Sequence, residues 1–385
     1  MTHPTEWIAT TAELESLVEH LRSREWFALD TEFIRETTYW PKLCLVQVAT
    51  TERVACIDPF SCHSLDPLHA ALDDPAVTKV LHAAGQDLEI FHHLTGRMPQ
   101  PLFDTQVAAP LVGFPEQAGF ARLVEAVLDV KLGKGHSRTD WNERPLPEEV
   151  IEYAADDVRY LVPLYQALRE QLAARGRLGW LDADFEALAD PARFERPNAD
   201  AWQRLKGIDR LSNPSRAVAA ALAEWRERTA READRPRGHV LRDDALLDIA
   251  KALPKDRKSL ARLRSLRGNT VDRHGDKLLA LVAEARKQTP PESGPEREKL
   301  QLDENSEALT DALSALLRLR AAREGLNPAS IATRRDLARI ATGTPAGEIL
   351  EGWRAELVAR DLDDFFAGHT RLAVDPTTGT LDSVD

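Results

Sequence analysis

Every short, β-rich apolar run in this chain falls within its first 82 residues, and almost everything after them is patterned for helices. Candidate strands are Trp26–Asp30, Leu43–Ala49, Val54–Ile57 and Val77–His82. The first three lie close together, which suits a meander, and amphipathic helical patterns follow them. Residues 1–176 therefore read as one α/β domain with a mixed sheet. The rest reads as all-helical, with Leu and Ala recurring at steps of three and four.

Two interruptions divide the chain further. Residues 177–200 are rich in Asp, Ala and Pro and read as a linker. The run from Gln288 to Pro295 (QTPPESGP) cannot continue a helix, because proline lacks the amide donor and clashes with the preceding turn. The expected modules are 1–176, 201–288 and 300–372, with linkers at 177–200 and 289–299 and a loose polar tail at 373–385. The two helical modules look like copies of each other. Arg231, Glu232 and Pro236 match Arg323, Glu324 and Pro328 at an offset of 92; Leu246, Ile249 and Ala250 match Leu337, Ile340 and Ala341 at 91. One gap reconciles the two offsets, so duplication explains the order and spacing better than chance.

Charge separates the modules more sharply than hydropathy does. The net charge of −13 hides a value of −15 over residues 1–200 and of +9 over residues 201–288. A basic module inside an acidic protein fits a polyanionic partner. Arg226, Arg228, Arg231, Lys255, Arg257, Lys258, Arg262 and Arg264 are its candidate phosphate contacts, set against the plainer reading of a solvated helical face. No apolar run approaches the ~20 residues that cross a bilayer. The first 17 residues lack the basic and apolar regions of a secretory signal, and Cys44, Cys56 and Cys62 lack metal-ligand spacing. A cytoplasmic, monomeric protein with reduced thiols and no membrane partner is expected.

Three acidic motifs carry the chemistry. Asp30 and Glu32 end the first strong strand, two residues apart, and so project from one face. Asp87 follows an apolar strand and Gly85, in the first turn of the next helix. There it could simply complement the helix dipole, as could Glu89. His82, just before, is a possible ligand, although a hydrogen-bonded histidine at a strand end is the plainer reading. Tyr153 and Asp157 stand at i and i+4 of a later helix that Pro147 can start, and so share a face. Asp156 is turned away from that face. Singly, each motif has a bland explanation as surface acids or an amphipathic helix. Together they place four carboxylates where hard divalent cations such as Mg²⁺ or Mn²⁺ could neutralise them.

The order Asp-x-Glu, HAAGQDLE (82–89) and Tyr-x-x-x-Asp resembles the DEDD exonucleases of the ribonuclease H-like fold, in the subclass with tyrosine rather than histidine. The stretches TYWPKLCLVQ (38–47), FDTQ (103–106), DWNERPL (140–146) and YAADDV (153–158) narrow the resemblance to the ribonuclease D family. The helical modules resemble two copies of its HRDC domain, the first clearer than the second. The stretch from His136 to Trp141 departs from the family's usual pattern, leaving the substrate contacts of that loop open.

The resemblance implies a 3′–5′ exoribonuclease releasing nucleoside 5′-monophosphates, with two divalent ions held by Asp30, Glu32, Asp87 and Asp157. It implies that Tyr153 orients the attacking water and that the substrates are tRNA precursors and other small structured RNAs. A DNA-directed exonuclease of the same superfamily and a catalytically silent RNA-binding scaffold are the alternatives. Asp104 reads as a helix N-cap, with an indirect role at the site as the lesser possibility. Trp141 and Arg144 fit either a packed turn or substrate contacts.

Overall fold

The computed structural model describes residues 3–133, 135, 139–195, 197–266, 268–291, 300 and 302–384. The departing loop residues 136–138 and most of the 289–299 linker lie outside that set. The chain forms two compact units. One comprises Met1–Glu32, Cys44–Asp190 and Leu300–Asp385; the other comprises Phe33–Leu43 and Pro191–Lys299.

The first unit is built on a six-stranded sheet. In chain order its first elements are β1 (Thr5–Ile8), α1 (Thr11–Arg22), β2 (Trp26–Ile34), β3 (Lys42–Ala49), β4 (Val54–Ile57), α2 (Asp66–Leu72), β5 (Thr78–Leu81), α3 (Gly85–Thr95) and β6 (Leu102–Asp104). Then come α4 (Thr105–Ala108), α5 (Phe120–Leu128), α6 (Glu148–Ala174) and α7 (Asp182–Leu188). The strand order is β1-β4-β3-β2-β5-β6. Strand β4 runs antiparallel to β3, whereas β5 runs parallel to both β2 and β6, and β1 parallel to β4. The expected mixed sheet and its β2-β3-β4 adjacency are present.

Strands β3 and β4 are apolar almost throughout and buried on both faces, as a covered sheet requires. Helix α6 covers one face through Val150, Ala154, Val158, Leu161, Tyr165, Leu168 and Leu172, a stripe at three- and four-residue steps. Tyr165 packs its ring 4.6 Å from that of Trp26 on β2, which sets α6 beside the strand that carries Asp30 and Glu32. Pro147 occupies the N-cap of this helix rather than its first turn.

The second unit contains α8 (Asn213–Glu232), α9 (Arg237–Val240), α10 (Asp243–Ala252), α11 (Arg257–Ala261) and α12 (Gly268–Ala285). Its core includes Leu222, Leu246, Ile249, Leu260 and Leu278, and also Tyr39 from the segment between β2 and β3. The Tyr39 hydroxyl donates to Glu227 Oε1 at 2.5 Å and accepts from Arg231 Nε at 2.9 Å and an Arg237 guanidinium nitrogen at 3.0 Å. Arg237 also pairs with Glu227 at 2.5 Å, and Arg204 reaches the same carboxylate at 3.2 Å. Asp234 caps the segment by accepting from the backbone amides of Tyr39 and Trp40. Glu227 is thus a fully engaged buried carboxylate.

The chain then forms α13 (Glu304–Glu324), α14 (Pro328–Ile331), α15 (Arg334–Ala341), α16 (Gly352–Phe366), β7 (Arg371–Val374) and β8 (Leu381–Val384). The same order of elements recurs in the two helical segments. Helices α8, α9 and α10 reappear as α13, α14 and α15, shifted by about the offset between the matched residues. The copies nevertheless belong to different units, since the second packs with the sheet domain. Arg177, almost fully buried, donates to Leu111 O at 2.8 Å and to Glu324 O at 2.6 Å, satisfying a carbonyl at the end of α13. Trp180 stacks on Trp353 with centroids 4.7 Å apart, and Arg354 pairs with Asp184 at 3.1 Å. Residues 177–190, read from the sequence as linker, are therefore an ordered bracket containing α7. The tail read as loose holds an antiparallel β7–β8 pair, with Arg323 bonded to Asp382.

Candidate active site

Asp30 and Glu32 sit on β2, and Asp157 projects from α6. One carboxylate oxygen from each lies within 4.8 Å of the other two. Thr31 lies between Asp30 and Glu32 on the strand. Its hydroxyl donates to Asp87 Oδ1 at 2.5 Å, and both residues are buried. Asp87, in the first turn of α3, is therefore fixed next to the trio through the residue between Asp30 and Glu32. It is not itself part of the 4.8 Å group. The sequence patterns do not single out Thr31; the one signal available is its place between two acids on a strand.

The electrostatics of the cluster are unfavourable without a countercharge. Burial, then repulsion from Asp87, Asp157 and Glu32, holds Asp30 well above the usual carboxylate range. Burial first, and then Asp157 and Asp87, raises Glu32 to about 8. Burial raises Asp157 to about 7, helped by Asp156; it also raises Asp87 to about 7 against the opposing Thr31 hydrogen bond. Buried like charges of this kind are retained where a cation binds between them. The donors are hard oxygens, so the set fits a divalent cation of the Mg²⁺ or Mn²⁺ class.

Tyr153 stands one turn before Asp157 on α6 and is partly buried. Burial, followed by the charges of Asp157, Glu32 and Asp30, raises its phenol above the ordinary value. Asp156 turns elsewhere, to Arg159.

The secondary candidates take structural roles. His82 Nδ1 lies 2.9 Å from Thr105 Oγ1 and does not join the carboxylates. Asp104 is the N-cap of α4, accepting from Gln106 N at 2.7 Å and Val107 N at 3.3 Å, and it also holds the amides of Ala83 and Ala84 just before α3. Arg144 pairs with Asp58 at 2.8 Å and donates to Cys44 O at 2.6 Å, while Trp141 is buried. The packed-turn reading of these two residues holds.

Two of the basic candidates of the second unit require correction. Arg226 is buried, bonded to Leu241 O and Asp243, and Arg231 belongs to the Tyr39–Glu227 network. Arg226 is buried and Arg231 partly so, and each satisfies buried oxygens. Arg257 pairs with Asp276 and Arg228 with Glu224. Arg228 and Arg257 are nevertheless exposed, as are Lys255, Lys258, Arg262 and Arg264.

Residues 5–173 match the 3′-5′ exonuclease family, and residues 215–282 match the HRDC domain. The fold and the acidic site thus define a 3′–5′ exonuclease with an appended helical HRDC module. The chain is 40% identical to ribonuclease D of Gluconacetobacter diazotrophicus, covering 96% of this chain and 95% of that one. It is 39% identical to ribonuclease D of Sphingobium indicum, covering 97% and 96%. The crystal structure of Escherichia coli RNase D, an exoribonuclease involved in structured RNA processing, superposes with a TM-score of 0.79 at 35% identity, covering 95% of this chain and all of that one. The chain belongs to the ribonuclease D family, and it is a hydrolase of the 3′–5′ exoribonuclease type.

Proposed function

We propose that this enzyme matures the 3′ ends of tRNA precursors and other small structured RNAs in the cytoplasm, acting as a monomer and releasing nucleoside 5′-monophosphates. The convergence of the Asp30, Glu32 and Asp157 oxygens within 4.8 Å is the observation that carries the reading. Asp30, Glu32, Asp87 and Asp157 would hold two divalent cations. Such a pair, when bound, activates water as a nucleophile and stabilises charge on the leaving oxygen.

The chain's own groups complete the chemistry. Thr31 holds Asp87 in place. A phenol ordinarily titrates at about 10, so Tyr153 is a poor base at neutral pH, and its part is to orient the water through a hydrogen bond. Attack at the last phosphorus expels the 3′ oxygen of the preceding nucleotide, which leaves the phosphate on the 5′ side of the released nucleoside. The relation to an E. coli enzyme of structured RNA processing supports the substrate class.

Digestion of a 3′-extended tRNA, with products resolved by length, tests this reading. Mg²⁺ or Mn²⁺ should give a ladder shortened one nucleotide at a time that stops near the mature end, and chelation should abolish it. Equal digestion of a matched DNA, or internal cuts, would refute it. Tyr153→Phe is expected to retain metal affinity and lower kcat by about 10²-fold, at the low end of the range for positioned proton-handling groups. An unchanged kcat removes Tyr153 from the mechanism.

A further inference from the structure

The second unit contains a small polar cavity that none of the eight basic residues singled out from the sequence lines. It has a volume of about 60 Å³ and lies where α9 passes into α10, against the start of α12. His239, Arg242, Arg273 and His274 contribute to its wall, with Ser265 and Asn269. Its wall offers guanidinium and hydroxyl donors of the kind that bind an oxyanion.

The lining is cationic and only partly neutralised. Arg242 pairs with Asp244 at 2.9 Å and donates to Ser265 O at 3.3 Å. The neighbouring Asp243 is engaged with Arg226. Arg273 is exposed, and no described carboxylate pairs with it. The Ser265 hydroxyl oxygen is buried and has no hydrogen-bond partner among the described residues. A buried hydroxyl without a partner costs on the order of 1–3 kcal/mol relative to one that is satisfied, and an anion in the cavity would supply the missing acceptor.

We propose that this cavity seats one phosphate group of the RNA backbone, with Arg242 and Arg273 as its cationic contacts and the Ser265 hydroxyl as a neutral donor. The proposal rests on the reading of the basic module as an RNA-holding unit. It relocates the contact from the exposed cations of the sequence analysis to a shaped pocket on the same unit. Free inorganic phosphate shares this chemistry, so the test must separate the two sources.

Binding of a 3′-extended tRNA to the full-length protein, without divalent metal, would be measured across a KCl series for wild type, Arg273→Gln, Ser265→Ala and Lys258→Gln. Loss of one phosphate contact should lower the magnitude of the log–log salt slope by about 0.7–1 and weaken binding severalfold at low salt. Arg273→Gln is expected to do this, with an unchanged melting temperature and an unchanged rate on a trinucleotide. Ser265→Ala should weaken binding with the slope preserved, since no charge is lost. An unaltered slope in Arg273→Gln alongside a reduced slope in Lys258→Gln would overturn the pocket alone. Unaltered slopes in both would overturn RNA holding by this unit. Inorganic phosphate at millimolar concentration should compete with tRNA in wild type and not in Arg273→Gln. Tight phosphate binding that leaves tRNA affinity untouched would make the cavity a free-phosphate site and reject the proposal.

Discussion

Asp157→Asn is expected to fold normally and to lose at least about 10³-fold in turnover. The amide keeps the shape of the side chain on α6 but removes one of the charges that converge within 4.8 Å. Metal-derived stabilisation of several kcal/mol is at stake, and each 1.36 kcal/mol is about tenfold in rate. Stability should move the other way. Asp157 has its carboxyl raised to about 7 in the folded protein, above the ordinary ~3.9 of an unfolded chain. A raised carboxyl makes the metal-free native state progressively less stable as pH climbs from about 4 through 7. The asparagine variant lacks that penalty, so without metal at pH 8 it should melt at or above the wild-type temperature. Near-normal turnover by a folded Asp157→Asn protein would remove this residue from the site.

Glu227→Ala is expected to destabilise the second unit by about 3–5 kcal/mol, because it leaves Arg237, Arg231 and the Tyr39 hydroxyl without their shared acceptor in a buried setting. Burial pushes Glu227 upward, but the Arg237 and Tyr39 hydrogen bonds outweigh it and hold the carboxyl at about 2. A depressed carboxyl contributes stability that is complete above its unfolded value near 4.3 and is lost as pH falls from there towards 2. Urea unfolding followed by tryptophan fluorescence at pH 7 and pH 3 should show the gap between wild type and variant narrowing in acid. A loss below about 0.5 kcal/mol at pH 7 would contradict the network's structural role.

Local patterns foretold the site better than they foretold the packing around it. Asp30, Glu32 and Asp157 were legible because strand alternation and the i, i+4 helical step fix which side chains share a face. The Asp104 cap followed from its place before a short helix. Strands β1 and β6 escaped notice because four and three residues are too few to show a period; they exist through parallel pairing with β4 and β5. The burial of Tyr39 depends on Glu227, 188 positions away, which no local window contains. The same holds for Arg177 and Glu324: residues 177–190 have a linker's composition, and only the carbonyl at the end of α13 and the face of Trp353 make them a bracket. Arg226 and Arg231 misled for the converse reason. A positive charge in sequence is equally consistent with a solvent-facing phosphate contact and with a buried acceptor's partner, and these two serve buried acceptors.

Titration calorimetry with Mn²⁺, on wild type and on Asp30→Asn, bears most directly on the claim that these buried acids exist to hold cations. Wild type should bind two ions per chain, releasing protons as the raised carboxyls ionise, and Asp30→Asn should lose that binding while melting, without metal, at or above the wild-type temperature. Wild-type protein that takes up no Mn²⁺, or an Asp30→Asn protein that takes up as much as wild type, would contradict it.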